Sequence, residues 1–391
     1  MSEVACWIWL SRRKNLSAAR AHRYLEHFGS VLALYEADEE LYRLVPEARP
    51  AEWRQLLDKG LAEAERIMAD CQRLGVRILC LRDADYPEKL RNIYDAPLVL
   101  YVRGTLPAVD DEPTVAVVGT RKAGPYGRRC ARRFGADIAR CGGLVVSGLA
   151  EGIDSEAMRA ALEAGGRVIG VLGTGPDVVY PAWNEQLQNE AALHGALVSE
   201  YPPGTRGSRG NFPQRNRIIS GLSDGVLVIE APEKSGSLIT AARAAEQGRD
   251  VYAVPGPVDD AGFVGSNLLL RDGAALVMNA WDLLGVYLWR YPTKLRRKGD
   301  RRPLRRPREE REIKKEVDKG ETVDYIDLTD GEALSEEERA VLTALGGESL
   351  EADELIRRAG LEAADALSAM TMLEVRGLIR RVEGERLERV R

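Results

Sequence analysis

Four turns in the sequence contain residue types that bind phosphate. Each turn combines glycine with hydroxyl or basic side chains, follows a short apolar run and precedes a helical pattern. The turns are Gly119-Thr120-Arg121-Lys122, Ser147-Gly148, Gly173-Thr174-Gly175 and Lys234-Ser235-Gly236-Ser237. Accessible backbone N–H groups at helix N-termini bind anions, and parallel strands bring such turns to one sheet edge. The sequence therefore predicts an anion-binding edge.

A fifth segment adds an aromatic ring and further cations. Phe212, Arg215, Asn216 and Arg217 lie at the start of a predicted helix, after the polar loop 204–211. A nucleic-acid base stacked on an exposed ring gains roughly 1–3 kcal/mol. Three simpler interpretations remain open. Phe212 folds back onto the sheet, the arginines lie on a solvent-exposed helix face, or the serines after position 234 form an ordinary N-cap. We favour a convergent basic groove.

Known catalytic and cofactor motifs are not found in the sequence. The glycines of the first turn do not have the G-x-G-x-x-G spacing of a dinucleotide site, and no phosphate-binding P-loop occurs. No serine lies in a nucleophile elbow, and no cysteine is paired with a histidine. The carboxylates near the predicted edge, Glu151, Asp154 and Glu230, give no positive support for a hydrolase. We expect no enzymatic activity, no cofactor and no metal.

Composition limits the class of protein. A chain of 391 residues suits two or three domains. Its five cysteines are odd in number and contain no C-x-x-C pair, which favours a reduced, cytoplasmic protein. Neither a signal peptide nor a membrane span is evident, so we expect no membrane association. The net charge of −5 means that any affinity for nucleic acid must come from a local patch.

The chain divides into four predicted regions. Residues 1–75 form a helical module with helices at 16–28 and 51–74. Residues 76–290 form an α/β domain, with strands at 76–81 and 98–102 ahead of an alternation of β runs and helices. Its helices are expected near 126–140, 151–164, 183–193, 211–221, 236–247 and 264–271. Strands that are apolar on both faces are typical of a doubly wound, mostly parallel sheet.

The two C-terminal regions differ sharply in composition. Residues 294–320 hold thirteen Lys or Arg against six Asp or Glu, so 291–333 is expected to be a disordered, charged linker. Helical patterns follow at 337–345, 354–359 and 363–376, and a hairpin at 377–390. Three helices and a β wing match a winged-helix pattern for 334–391.

Seven sequence blocks, in order, resemble the DprA (Smf) family of DNA-processing proteins. The blocks are Val-Gly-Thr-Arg (118–121), Ser-Gly-Leu-Ala-Glu-Gly-Ile-Asp (147–154), Gly-Thr-Gly-Pro-Asp-Val-Val-Tyr-Pro (173–181), Ser-Glu-Tyr-Pro-Pro-Gly (199–204), Phe-Pro-Gln-Arg-Asn-Arg-Ile-Ile (212–219), Lys-Ser-Gly-Ser-Leu-Ile-Thr (234–240) and Val-Pro-Gly (254–256).

This resemblance implies an extended Rossmann-like domain, a sterile-alpha-motif-like N-terminal module and a winged-helix extension. It also implies a homodimer that binds single-stranded DNA during natural transformation and loads RecA recombinase onto it. The DNA-contacting positions implied are Gly119, Thr120, Arg121, Ser147, Gly148, Phe212, Arg215, Asn216, Lys234, Ser235, Gly236 and Ser237; from the residues alone we add Lys122 and Arg217.

Two other hypotheses for the function are compatible with the sequence. Phosphoribohydrolases of the lysine-decarboxylase-like type share such a Rossmann core and carry a Pro-Gly-Gly-x-Gly-Thr-x-x-Glu block. Residues 231–240 here lack the double glycine and the trailing acid, which disfavours this enzyme class. Alternatively, the winged helix is the main DNA reader. Its segment 363–375 contains no Lys or Arg, so we expect a packing or protein-contact role.

Overall fold

The structure, a computed structural model, describes residues 2–297, 334–346, 349–375, 378–382 and 386–389. The chain forms two compact units, Met1–Arg308 and Glu309–Arg391. Most of the predicted linker lies outside the described residues.

A nine-stranded sheet forms the centre of the first unit, within residues 2–297. Its strands are β1 (Arg77–Cys80), β2 (Val99–Gly104), β3 (Thr114–Val118), β4 (Leu144–Ser147), β5 (Val168–Leu172), β6 (Gly195–Ser199), β7 (Gly225–Val228), β8 (Asp250–Ala253) and β9 (Ala275–Leu276). Their order is β1-β2-β6-β5-β4-β3-β7-β8-β9. Strand β2 pairs antiparallel with β1 on one side and with β6 on the other. The seven strands β3 to β9 are parallel to one another.

Both faces of the sheet are covered by separate apolar cores. Because successive side chains of a strand point to opposite faces, Ala116 and Val118 pack in one core while Val115 and Val117 pack in the other. Because both faces are buried, the central strands do not alternate between apolar and polar residues. The prediction of a doubly wound, mostly parallel sheet is confirmed.

The α/β domain contains the helices α7 (Glu88–Arg91), α8 (Pro125–Arg140), α9 (Ile153–Glu163), α10 (Glu185–Leu193), α11 (Asn211–Gly221), α12 (Gly236–Glu246), α13 (Val264–Arg271) and α14 (Ala280–Leu284). Six of them, α8 to α13, match their predicted positions to within about two residues. The short helices α7 and α14 were not predicted. The proline at the first position of α8 and the serine cap of α12 are local start signals, which explains the accuracy.

Six helices precede the sheet: α1 (Glu3–Ser11), α2 (Ala18–Phe28), α3 (Val31–Glu36), α4 (Glu39–Arg43), α5 (Pro50–Leu56) and α6 (Ala62–Leu74). The single helix predicted over 51–74 is wrong, because α5 and α6 are separate. Asp58 accepts a hydrogen bond from Gly60 N at 3.0 Å and forms a local turn between them. The buried side chains of this module belong to the same core as one face of the sheet, so position 75/76 does not separate two cores.

The first unit also extends beyond the predicted boundary at residue 290. Tyr291 and Leu295 are buried in the core on the second sheet face. Lys294 pairs with Glu112 at 2.9 Å, and Arg296 N donates to Cys141 O. Residues 291–297 are therefore packed, which corrects the start of the linker.

The second unit contains three helices and a three-stranded sheet among its described residues. The elements are α15 (Glu336–Leu345), β10 (Leu350–Glu351), α16 (Ala352–Ala359), α17 (Ala363–Val375), β11 (Ile379–Val382) and β12 (Arg386–Arg389). Leu355, Leu373 and Leu387 lie in its own apolar core. The predicted helices and hairpin are confirmed, and β10 is an addition.

Candidate nucleic-acid interface

A groove of about 550 Å³ opens at the carboxyl ends of β3 and β7. From β3 the chain moves through β4, β5 and β6 on one side, and it returns to β7 on the other. The loops after β3 and β7 diverge at this point, and ligands bind in such a crevice in open α/β sheets. The groove is lined by Val118, Gly119, Thr120, Arg121, Ala150, Asp154, Tyr180, Arg209, Phe212, Pro213, Arg215, Asn216, Ile219, Pro232, Lys234, Ser235, Gly236, Ser237, Ile239 and Thr240.

The turn after β3 is held tightly against β7. A Cβ on Gly119 would lie 2.5 Å from Ile153 Cγ1, so only glycine fits there without displacement. Thr120 N donates to the backbone oxygen of Glu230 at 2.7 Å. The Glu230 carboxylate accepts a hydrogen bond from Gly124 N at 3.0 Å. These contacts present Arg121 at the mouth of the groove on a fixed backbone.

Glu230 is a buried carboxylate with a structural role. Burial raises its pKa above the ordinary value, and the hydrogen bond from Gly124 opposes that rise. A Cβ on Gly127 would lie 1.9 Å from Glu230 Oε2, so the first turn of α8 closes over it. The carboxylate therefore fastens α8 to β7 and does not face the groove mouth.

Phe212 and Arg121 form the aromatic side of the groove. The Arg121 guanidinium carbon lies 5.3 Å from the Phe212 ring centroid, and the Tyr180 ring lies 5.1 Å away on a plane tilted by 35°. A Cβ on Gly173 would lie 2.8 Å from Phe212, so the ring packs on that turn. Phe212 is half-buried. It both rests on the sheet edge and presents part of its ring to the groove.

Arg215 forms the floor of the groove and is only 4% exposed. Its guanidinium donates to Val171 O and lies against Gly148, where a Cβ would be 2.3 Å from Nη1. Burial lowers the pKa of Arg215 to about 10, with Asp154 acting in the opposite direction. The side chain is therefore a cation at neutral pH. Among the described residues, its Nε has no hydrogen-bond partner.

Asp154 lies beside Arg215 and is also buried. Its carboxylate accepts a hydrogen bond from Gly148 N at 3.1 Å. Burial raises its pKa, while Arg215 and the backbone donors lower it. Asp154 therefore offsets the charge of the buried arginine and stabilises the turn after β4.

The N-terminus of α12 forms the opposite wall. Ser235 caps the helix by accepting a hydrogen bond from Ser237 N, and the two hydroxyls lie 2.7 Å apart. Asn216 donates to Gly236 O at 3.2 Å and so connects α11 to this wall. Lys234 is exposed just outside the helix. The cap interpretation is correct, and the same cap also lines the groove.

Four of the predicted positions lie away from the lining of the groove. Ser147 is buried and donates to Val117 O at 2.6 Å, and Gly148 lies beneath Arg215. Lys122 is exposed next to the groove. Arg217 is 7% exposed and pairs with Glu200 at 2.8 Å and with Asp95 at 3.1 Å.

Arg217 is therefore corrected from a groove residue to an internal ion pair. Burial opposes its charge, but Glu200 and Asp95 outweigh this effect and raise its pKa. Residues two positions apart on a helix point to nearly opposite sides, so Arg215 and Arg217 cannot both face one groove. The spacing of the two arginines in the sequence was therefore enough to predict that only one of them faces the groove.

Ten of the twenty lining residues were not predicted as DNA contacts, and two of these, Tyr180 and Arg209, add an aromatic ring and a cation. Tyr180 belongs to the block 173–181, and Arg209 belongs to the polar loop before Phe212. Both are exposed, and both reach the groove only because separate loops fold over its rim. With Arg121, Arg209 and Lys234 exposed and Arg215 on the floor, four cations face one carboxylate, Asp154.

Comparison with known families agrees with this architecture. The sequence model of DNA recombination-mediator protein A matches residues 77–287, which is more than half of the chain. The chain belongs to this family. The model of the DprA winged helix domain matches residues 329–385, which confirms the second unit as a winged helix. The family resemblance read from the seven sequence blocks is thereby confirmed, and the chain is a DprA/Smf-type DNA-processing protein.

Individual relatives resemble the chain over different lengths. Protein Smf of Synechocystis is 32% identical over 420 aligned residues, which cover 99% of each chain. The X-ray structure of DNA processing protein A from Streptococcus pneumoniae superposes with a TM-score of 0.64 and 34% identity, covering 73% of this chain and 98% of that one. That of Helicobacter pylori superposes with a TM-score of 0.50 and 29% identity, covering 56% and 99%. The latter is described for its single-stranded DNA binding mode.

Within the described ranges, no group of three or more metal-ligating side chains is found. No helix of the described chain is both long enough and apolar enough to cross a bilayer.

Proposed function

We propose that the protein binds single-stranded DNA in the groove at the carboxyl ends of β3 and β7. The observation that carries this proposal is the convergence of Arg121, Arg209, Arg215 and Lys234 on one cavity that also presents Phe212. The Helicobacter pylori relative, whose single-stranded DNA binding mode is described, supports it. The acidic chain as a whole does not attract polynucleotides, so this local cluster supplies the affinity.

In this mechanism the different walls of the groove contact different parts of the bound strand. Arg121, Lys234 and the N–H groups at the start of α12 bind phosphate oxygens. Phe212 stacks on a base, a contact that every base can make. Arg215 holds a fixed positive charge under the strand. Such a site binds unpaired strands with little sequence preference and with strong salt dependence.

We further propose that the bound strand is incoming DNA of natural transformation and that the protein acts as a cytoplasmic homodimer. In this role it protects the strand and loads RecA recombinase onto it for homologous recombination. The description of the family as a recombination mediator supports this role.

We propose that this activity is binding without catalysis. Of the three carboxylates considered, Glu230 is fastened to Gly124, Asp154 is buried beside Arg215, and Glu151 is exposed outside the groove lining. A nucleotide-processing enzyme of the phosphoribohydrolase type is the alternative. Incubation with AMP and related nucleotides should release no free base, and release of base would favour that alternative.

The decisive test is a comparison of labelled single-stranded and duplex oligonucleotides by fluorescence anisotropy at about 50 and about 200 mM salt. We expect a strong preference for the single strand and a steep salt dependence. Arg121→Ala should weaken binding of all sequences about equally and flatten the log–log salt slope by about 0.7. Lys234→Glu should act in the same direction and more strongly, because it reverses a charge.

Arg243→Ala is the matched control, since Arg243 is exposed on α12 and pairs with Glu246 away from the groove. It should bind as the parent does. If Arg121→Ala bound oligonucleotides as tightly as Arg243→Ala across the titration, the groove assignment would be wrong.

A further inference from the structure

Two of the six tryptophans are largely exposed. Trp183 is 69% exposed and Trp289 is 80% exposed, whereas Trp7, Trp9 and Trp53 are buried. An exposed indole contributes little to the core, and it offers a large, flat, amphipathic surface to a ligand. Packing therefore does not account for Trp183.

Trp183 is attached to the sheet edge that carries the groove. It belongs to the 3₁₀ turn Ala182–Asn184 and follows Tyr180, a lining residue, by three positions. Three residues span at most about 10 Å. Asn184 is buried, and its Nδ2 donates to Leu149 O at 2.9 Å, just after β4, and to Ser155 Oγ at 2.8 Å, in the first turn of α9. The turn is thus fastened beside the groove.

The aromatic side of the groove includes Tyr180, which shortly precedes this turn in the chain. Phe212 lies within the groove, and the ring of Tyr180 lies against it. Proteins that bind unpaired strands stack successive bases on successive aromatic side chains. A strand that leaves Phe212 past Tyr180 would then come within reach of the turn that carries the exposed indole of Trp183. Because Asn184 attaches this turn to the neighbours of the lining residues Ala150 and Asp154, the occupant is the same strand.

We propose that Trp183 is a second base-stacking residue, which binds a nucleotide just outside the groove and lengthens the occluded strand. This inference rests on the proposed function. Because every base has a π-face, the added contact is tolerant of sequence. Its effect depends on oligonucleotide length, since a short strand fills the groove without reaching the indole.

The test compares Trp183→Ala with Trp289→Ala, an equally drastic change at an equally exposed tryptophan. For a long oligo(dT), Trp183→Ala should bind about 5- to 150-fold more weakly than the parent. For an oligonucleotide that fills only the groove, Trp183→Ala and the parent should bind with equal affinity. Trp289→Ala should match the parent for both lengths, and thermal unfolding should show that both variants are folded.

Intrinsic fluorescence gives a second readout. Oligo(dT) should quench the parent, and Trp183→Phe should remove most of that quenching while Trp289→Phe retains it. Equal affinity of Trp183→Ala and Trp289→Ala for the long strand, or full quenching in Trp183→Phe, would overturn the inference.

Failure of the inference is distinguishable from failure of the proposed function. If the parent does not prefer single strands, the proposed function itself is wrong. If the parent binds them and Arg121→Ala loses affinity, but the Trp183 variants behave as the parent, then only the role of Trp183 is refuted.

Discussion

At the residue scale, three arginines of similar appearance in the sequence have three different environments. Arg121 is exposed over Phe212, Arg215 is buried on the groove floor, and Arg217 is paired internally with Glu200 and Asp95. An arginine that is already paired with two carboxylates has little free charge for phosphate. The three side chains should therefore respond differently to the same substitution.

We expect Arg217→Ala to lower the free energy of unfolding by roughly 1.5–3 kcal/mol, because charged hydrogen bonds in a largely buried site are lost. Its salt slope for single-strand binding should equal that of the parent. Urea denaturation and anisotropy titration measure the two quantities. Arg121→Ala provides the contrast, since it should keep stability and lose affinity. A Arg217→Ala variant with normal stability and a flatter salt slope would contradict this assignment.

At the element scale, strand order and turn geometry determine where the groove lies. The chain adds strands β4 to β6 on one side of β3 and strands β7 to β9 on the other side. The loops after β3 and β7 therefore diverge and leave space between them. At the opposite ends of the same strands, a buried ion pair joins α7 to the sheet. Lys89 Nζ lies 2.8 Å from Asp224, which also accepts hydrogen bonds from Thr114 and Tyr291.

Asp224→Ala should lower the free energy of unfolding by about 3–5 kcal/mol, because it leaves the Lys89 ammonium buried without its partner. Single-strand affinity of the folded fraction should not change, since Asp224 precedes β7 and the groove lies beyond its other end. Urea denaturation tests the first statement, and titration at low temperature tests the second. The double variant Lys89→Met with Asp224→Leu should be more stable than Asp224→Ala, and the opposite order would refute an electrostatic origin.

The helices show how far local pattern predicts an element. The bounds of α8, α11 and α12 follow from proline, glycine and serine signals close to each helix end, and they were predictable. The break between α5 and α6 was not, because helical periodicity continues across 57–61 in the sequence. The turn at Asp58 and the packing of each helix against other elements decide the break.

At the scale of the whole molecule, the two units have different surface chemistry. The groove, with its cations and aromatic rings, belongs entirely to the first unit. Helix α17 of the second unit contains no Lys or Arg, and its charged residues are Asp365 and Glu374. A recognition helix without cations is a poor partner for a phosphate backbone.

Deletion of residues 330–391 should therefore leave single-strand affinity within about twofold of the full chain, since each lost phosphate contact would cost far more than that at low salt. Anisotropy titration of the two proteins in parallel measures this. A complete loss of binding would show that the winged helix is the main reader after all.

The pH dependence of stability should reflect the buried thiols. Burial raises the pKa of Cys71 and of Cys80 to about 12, from an ordinary value of 9.0. Between these values the unfolded chain releases protons that the folded chain retains, so folding becomes less favourable as pH rises. The free energy of unfolding should fall from about pH 9 upward, by at most about 1.4 kcal/mol per pH unit for each thiol.

Chemical denaturation at a series of pH values between about 8 and 11 measures this fall. Cys71→Ala together with Cys80→Ala should make it shallower, although buried tyrosines maintain part of it. For Tyr24 and Tyr252 burial also raises the pKa to about 12. A double variant with an unchanged slope would exclude the thiols as its source.

The sequence by itself determined the alternation of strands and helices, the residue types of the turns that line the groove, and the winged helix. These properties depend on periodicity, capping and short motifs, which act over a few neighbouring residues. Only the tertiary structure decided which cations share the groove. Arg215 and Arg217 are separated by one residue, yet Gly148 and Val171 O contact one while Glu200 and Asp95 neutralise the other. Contacts between elements distant in sequence assign these roles, because burial and charge pairing depend on which surfaces meet in the folded chain.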